Sequence, residues 1–117
     1  MDEKSRLDLI RGTLDVLILK ALVWGPRHGY AITAFIRGSS GEALMVEEGT
    51  LYPALWRLES RGLVNGEWGL SENKRKAKFY GLTKAGRKHL EAERSMWSAY
   101  VEAVGKVLAA PEPGEAS

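Results

Sequence analysis

The spacing of apolar residues between Glu48 and Gly62 predicts an amphipathic helix, and the rest of the chain is organised around it. Its leucines recur at i, i+4 and i+7 and therefore share one face: Leu51, Leu55 and Leu58. The pattern places the start of the helix between Glu47 and Thr50. It places Pro53 in or just after the first turn, where a missing N–H costs least. Gly62 suits the left-handed conformation that commonly ends a helix.

The opposite face of this predicted helix is small and polar near its beginning and cationic towards its end. It carries Thr50, Ala54, Arg57 and Arg61, with Tyr52 and Trp56 towards the sides. A surface of this kind can enter a DNA major groove without steric or charge conflict. The same pattern also fits an ordinary surface helix, so the flanking segments have to decide between the two interpretations.

Two further helices are predicted ahead of this stretch. The first covers Thr13–Trp24, with Thr13 as its cap, and it is apolar on most sides. It is either the central core helix of a monomer or a helix that also contacts a partner subunit. The second covers about His28–Arg37 after a turn that contains Gly and Pro, and Gly38–Gly41 ends it. Together with the leucine-patterned helix, this second helix makes a helix-turn-helix with a rather long connection.

A change of spacing after Gly62 predicts a two-stranded hairpin. The strands are Leu63–Leu70, with Leu63, Val64 and Trp68 as the apolar members, and Ala77–Leu82, joined by the turn Ser71–Arg75. Basic charge is concentrated at this point, on Lys74, Arg75, Lys76 and Lys78. A run of this kind is often only a solvated turn. Directly after a helix-turn-helix, it is also where the wing of a winged helix lies, with cations that reach phosphates or the minor groove.

The last predicted helix is longer than the rest of the domain requires. It begins at the cap Thr83 and runs to about Leu108, a length of roughly 35 Å. Its apolar residues repeat at intervals of seven, four, three and four: Leu90, Trp97, Val101, Val104 and Leu108. This near-heptad seam predicts a homodimer interface, to which Leu14 and Leu17 of the first helix are expected to contribute. Packing back onto the first helix of the same chain is the alternative.

The order of these elements predicts a mainly α fold with a two-stranded β wing, namely a winged helix-turn-helix plus a long C-terminal dimerisation helix. Residues 1–82 are the expected DNA-binding part, and residues 83–108 the dimerisation helix. Residues 109–117, rich in Ala, Pro and Glu, are expected to be a disordered tail.

The composition of the chain mainly excludes classes of function. The 117 residues are 44% hydrophobic and 27% charged with a net charge of +2, so only the local clustering of charge points to nucleic acid. There is no cysteine, and His28 and His89 are far apart, so the sequence predicts no enzyme, no metal and no cofactor. His28 is favoured as a polar residue at a helix start. The N-terminus does not look like a signal peptide and Leu14–Trp24 is too short to cross a bilayer, so a cytoplasmic protein without a membrane partner is expected.

Five runs of residues in this order resemble one known family. They are Gly12–Asp15, Gly25–Tyr30, Glu48–Leu55, Leu58–Val64 and Lys78–Gly86. Through them, the chain between about residues 9 and 100 closely resembles the PadR family of transcriptional regulators, and its single C-terminal helix resembles the short subfamily. The resemblance implies a homodimeric winged-helix repressor of pseudo-palindromic promoter DNA. For some members, it also implies release of DNA by a phenolic or multidrug-like compound.

Specific residues can be assigned on this basis. Double-stranded DNA is expected to contact three sets of residues: Thr50, Tyr52 and Arg57 in the groove and at its phosphates, His28 and Tyr30 at backbone phosphates, and Lys74, Arg75, Lys76 and Lys78 on the wing. Short members that resemble this chain line an aromatic pore near the position of Trp97, so Met96, Trp97 and Tyr100 are candidates for binding a small aromatic effector. The favoured alternative is that Trp97 fills the dimer core. A winged-helix module that binds another protein remains the alternative function, although four cations on one hairpin argue against it.

Overall fold

The computed structural model describes residues 13–114 and arranges them as a winged helix with a protruding terminal helix. In chain order the elements are α1 (Leu14–Ala21), β1 (Arg27–His28), α2 (Gly29–Ser39), α3 (Glu48–Ser60), β2 (Val64–Leu70), β3 (Lys76–Leu82) and α4 (Lys84–Ala109). The strands form one antiparallel sheet in the order β1-β3-β2. The predicted fold class is therefore confirmed. The chain measures 67 × 31 × 21 Å because α4, with 26 residues, extends beyond the body of the domain.

The sheet has three strands within the described residues, where the sequence pattern predicts two. Arg27 and His28, predicted to lie in a turn, pair with Tyr80 and Phe79 on the open edge of β3. Two residues are too few to show an alternating pattern, so only this pairing identifies them as a strand. The first helix is also shorter than predicted and ends at Ala21, after which the backbone makes tighter i→i−3 hydrogen bonds. Thr13 occupies its N-cap position, although its side chain makes no capping hydrogen bond to the helix.

The core lies between the first three helices and the base of the sheet. Its fully buried large side chains are Ile18, Leu19, Leu22, Ile32, Leu51, Leu55 and Leu58. The predicted inner face of α3 is thus confirmed, but Ala54, predicted on the outer face, is also fully buried. At 100° per residue, position 54 lies on the same side of the helix as positions 51 and 58, so the buried stripe is wider than the leucines alone indicate.

Two residues expected at a dimer interface belong instead to the chain's own core. Leu14 and Leu90 are each 2% exposed, because α1 packs directly against α4. They have no free surface to offer a partner subunit. Trp68 differs in the opposite direction. It was named as one of the apolar members of its predicted strand, yet it is 65% exposed, because β2 leaves the body of the domain before reaching it.

A compact junction joins the end of α3 to the start of α4. Gly62 has φ of +73°, and the N–H groups of Gly62 and Leu63 donate to the carbonyl oxygens of Glu59 (3.0 Å) and Leu58 (2.9 Å). These two bonds make the left-handed helix end predicted for Gly62. The Thr83 hydroxyl accepts from the Gly86 N–H (2.9 Å), which confirms Thr83 as the cap of α4, and it lies 2.7 Å from the Gly62 carbonyl oxygen. The direction of α4 is therefore tied to the end of α3.

Close packing at this junction predicts a large effect of one methyl group. A Cβ at Gly86 would collide with the Leu63 carbonyl oxygen and would approach the Leu82 Cδ1 to 2.9 Å. We therefore expect Gly86→Ala to lower the free energy of unfolding by about 1–3 kcal/mol, measured by urea denaturation. Gly105→Ala on the same helix is the matched control, since nothing lies within 4 Å of its added methyl. It should be neutral or stabilising by up to about 1 kcal/mol, and equal effects of both changes would contradict the packing described.

Candidate nucleic-acid interface

The outward face of α3 carries little charge along its midline. At 100° per residue, the positions opposite the buried leucines are Gly49, Pro53, Trp56 and Ser60, and all four are exposed. Trp56 is 69% exposed and is the one large side chain among them. The helical pattern placed Trp56 towards the side of the helix, whereas the width of the buried stripe shifts it towards the middle of the exposed face.

The groove residues expected from the sequence lie on the two flanks of α3. Thr50 is half-buried, and Tyr52 is 44% exposed. On the flank that faces α1, one carboxylate oxygen of Asp15 lies 3.9 Å from Arg57 Nη2, and the other lies 3.9 Å from Arg61 Nη1. These ion pairs are long and open to solvent, so each contributes no more than about 1 kcal/mol. Arg57 can therefore exchange Asp15 for a phosphate at small cost.

Tyr52 determines how closely α2 approaches α3. Its ring lies over Gly29, where a Cβ would meet the tyrosine hydroxyl and would come within 2.8 Å of Cζ. A side chain at the first position of α2 would therefore have to displace the Tyr52 ring. The sequence pattern identified Gly29 only as part of a turn, and the reason for glycine becomes visible only when the two helices are packed.

His28 and Tyr30 mark the start of α2. Nδ1 of His28 accepts a hydrogen bond from the Ala31 N–H at 3.3 Å, so His28 caps the helix as expected. With Nδ1 as acceptor, a neutral His28 carries its proton on Nε2, which remains a donor. The His28 ring also packs edge-on against Phe79, with 5.4 Å between ring centroids, while Tyr30 is 73% exposed. Donors at this end of α2 are compatible with a phosphate contact.

The hairpin places three adjacent cations, Lys74, Arg75 and Lys76, on its exposed tip. Lys74 has φ of +58°, and its N–H donates to the Ser71 carbonyl oxygen at 2.8 Å. In a hairpin of this length the left-handed position is usually taken by glycine, and a side chain there costs about 1–2 kcal/mol. The turn thus holds a lysine in a conformation that favours glycine. Such an outlier is a reason to suspect a functional role for the charge.

Lys78, expected to act with these three cations, has a different environment. Its ammonium group donates to Glu59 Oε1 on α3 at 3.1 Å, and Oε2 of the same carboxylate accepts from the Gly66 N–H at 3.3 Å. The hydrogen bond to Glu59 raises the pKa of Lys78 above its ordinary value of 10.5. A Cβ at Gly66 would collide with the Lys78 side chain. Lys78 therefore joins the wing to α3 and is not a free cation at the tip.

Further along the sheet, burial raises the pKa of the Tyr80 phenol above its ordinary value of 10.0. Trp68 follows on the same face of the wing, with the Lys76 ammonium 5.3 Å from its ring centroid. The alternation of β2 indicated which residues share a face but not where that face leaves the domain. Leu70, at the end of β2, is exposed as well. The exposure of Trp68 and Leu70 and the role of Glu59 were therefore missed from the sequence.

The second half of α4 exposes an apolar stripe. Its exposed members are Met96, Tyr100, Val101, Val107 and Leu108, with Trp97 and Val104 half-buried beside them. Trp97 and Tyr100 meet edge to face, with ring centroids 5.9 Å apart. The opposite side of the helix is polar and includes the ion pair Glu102–Lys106. A contiguous apolar surface of this kind is typical of an interaction site.

Neither a metal site nor a membrane-spanning helix is indicated in the part of the chain that the structure describes. Over residues 13–114, no three or more His, Asp or Glu side chains are grouped so that they could hold a metal ion. Over the same residues, no helix is both long enough and apolar enough to cross a membrane.

Comparison with known proteins places this geometry in a family. The model of the transcriptional regulator PadR-like family matches residues 18–92. A solved transcriptional regulator from Clostridium thermocellum is 33% identical, with 85% of this chain and 96% of that chain covered and a TM-score of 0.76. A PadR family regulator from Eggerthella lenta is 35% identical over 90% of this chain and 89% of its own, with a TM-score of 0.74.

A 37.1 kDa protein of transposon Tn4556 from Streptomyces fradiae is 40% identical over 102 residues, which are 87% of this chain and 27% of that relative. The chain therefore spans only about a quarter of that longer protein. The family match covers the two central helices, the wing and the first part of α4, which are the elements that build the surface described above. This chain belongs to the PadR-like family of transcriptional regulators and is a DNA-binding transcription regulator.

Proposed function

We propose that this protein is a homodimeric repressor that inserts two copies of α3 into successive major grooves of pseudo-palindromic promoter DNA, about 34 Å apart. The observation that carries this proposal is the pairing of an exposed, uncharged α3 midline with a wing whose tip presents Lys74, Arg75 and Lys76. A groove-reading surface must fit between two phosphate backbones, and the cations must reach those backbones beside it. Repression, in preference to activation, is carried over from the family resemblance.

The proposed contacts follow the flanks of this surface. Thr50 and Tyr52 lie at the side of the groove, and Arg57 exchanges Asp15 for a phosphate. His28 and Tyr30 contact the backbone beside the start of α2. The tip cations contact phosphates or the adjacent minor groove, while Lys78 acts indirectly by holding the wing against α3 through Glu59.

The dimer is proposed to form through the exposed stripe of α4. Val101, Val104 and Leu108 continue the seam, and Leu17, half-buried on α1, extends it towards the body of the domain. Residues 83–108 then serve as the dimerisation segment and residues 1–82 as the DNA-binding segment. The tail, expected from residue 109, begins one residue later, because Ala109 is still part of α4. Residues 115–117 lie outside the described residues, as do residues 1–12.

A flat aromatic compound is the proposed class of effector, at Met96, Trp97 and Tyr100. The edge-to-face pair of Trp97 and Tyr100 offers ring surfaces for stacking. Since these residues lie on the dimer stripe, a ligand bound there would alter the separation of the two α3 helices. It releases DNA only if it binds the two dimer geometries with unequal affinity.

Binding to the DNA upstream of the protein's own coding region tests this function. We expect one duplex to bind two chains, at least about 10³-fold more tightly than a shuffled duplex, with affinity falling steeply between about 50 and 200 mM salt. Fluorescence anisotropy with labelled duplexes measures both, and sedimentation of the complex gives the stoichiometry. Adding a phenolic acid to the preformed complex tests the effector. Equal affinity for both duplexes, or no binding in dilute buffer, would favour a protein-binding module instead.

A further inference from the structure

The charged residues of α3 are directed away from the midline of its exposed face. Arg57 and Arg61 lie on the flank that faces Asp15, and Glu59 lies on the other flank, hydrogen-bonded to Lys78 and Gly66. Reading a guanine from the major groove usually requires an Arg or Lys that donates to its O6 and N7. The middle of this helix offers no such donor.

Trp56 is the side chain that the midline offers instead. Its indole is 69% exposed, and its neighbours along the face, Gly49 and Pro53, are compact. Nothing lies within 4 Å of a Cβ built on Gly49, so open space surrounds that end of the helix. Compact neighbours let the helix approach the base edges closely enough for an indole to touch them. Thymine presents an apolar group in the major groove, its C5-methyl, and apolar side chains read it by contact.

We infer that Trp56 determines sequence specificity by contacting the C5-methyl group of a thymine in each half-site. The inference rests on the proposed function, because it requires α3 to lie in the major groove. We take DNA, and not a protein, as the occupant of this apolar face, because the hydrogen bond between Lys78 and Glu59 ties the wing, with its three exposed cations at the tip, to α3. Trp56 thus contacts a base, whereas Arg57 contacts a phosphate.

The test removes single methyl groups from DNA. Wild-type protein first selects duplexes from a randomised pool, and each thymine of the selected duplex is then replaced by uracil, which lacks only the methyl group. We expect uracil in place of the contacted thymine of one half-site to weaken wild-type binding about fourfold, which is the effect of losing the burial of one apolar carbon. Uracil in both half-sites should weaken binding about sixteenfold. Trp56→Ala should bind the thymine and uracil duplexes equally. Trp68→Ala, which removes an exposed indole from the wing, is the matched control and should keep the preference for thymine.

The outcomes separate this inference from the proposed function. If wild-type protein binds the selected duplex but no uracil substitution weakens binding, Trp56 is not a methyl reader and the proposed function stands. The same conclusion follows if Trp56→Ala, with an unchanged unfolding midpoint, keeps the wild-type preference for thymine. If wild-type protein selects no duplex at all, the proposed function fails and the inference fails with it.

Discussion

Replacing Lys74, Arg75 and Lys76 together with alanine should weaken binding to specific and shuffled duplexes by a similar factor. Phosphate contacts carry no sequence information, so their loss lowers affinity without changing preference. Each lost contact removes about 0.9 from the slope of log affinity against log salt, which amounts to roughly 5 for the six cations of a dimer. We expect a loss of about 10²–10³-fold near physiological salt. Anisotropy titrations at several salt concentrations measure both quantities.

A single change separates the charge at the tip from the shape of the turn. Lys74→Gly removes one cation but relieves the left-handed backbone at φ +58°. It should therefore raise the free energy of unfolding by up to about 1–2 kcal/mol while it lowers DNA affinity. Stability and affinity moving in opposite directions would show that the lysine is retained for its charge. An unchanged salt slope in the triple variant would mean that the wing does not contact phosphates.

Introducing glutamate at both Val101 and Leu108 should convert the proposed dimer into a monomer. Both side chains lie on the exposed stripe of α4, at 58% and 81% exposure in the single chain, and charges buried at a two-fold interface would repel their copies. Because two linked half-sites bind with an effective concentration that a monomer lacks, affinity for a full operator should fall about 10²–10⁴-fold. Sedimentation velocity measures the assembly, and binding to full-site and half-site duplexes measures the coupling.

The polar side of α4 provides the control for this experiment. Ser95→Glu introduces one of the two added negative charges on the face that carries the Glu102–Lys106 ion pair, and it should leave both assembly and DNA binding unchanged. The monomeric variant should retain its helical circular dichroism, since the substituted side chains are exposed in the single chain. Wild-type protein that sediments as a monomer at micromolar concentration would disprove the proposed interface.

Local patterns in the chain were sufficient for the parts of the fold that depend on neighbouring residues. The leucine spacing at 51, 55 and 58 specified the inner face of α3, because helical periodicity and burial are linked directly. Gly62 and Thr83 marked helix boundaries, since a left-handed end and a hydroxyl cap each require particular residue types. The basic run Lys74–Lys76 at the turn between β2 and β3 could likewise be predicted from the sequence, because its three cations are adjacent in the chain.

Contacts between residues distant in sequence decided the rest. The strand Arg27–His28 exists because β3 has a free edge, and a side chain at Gly29 would have to displace the Tyr52 ring. The sequence pattern grouped Lys78 with Lys74, Arg75 and Lys76, whereas in the packed fold its ammonium group donates to Glu59 on α3. Periodicity tells which residues share a face of one element, but the direction of that face, and hence the position of Trp56 in the middle of the exposed face of α3, depends on how the elements pack together.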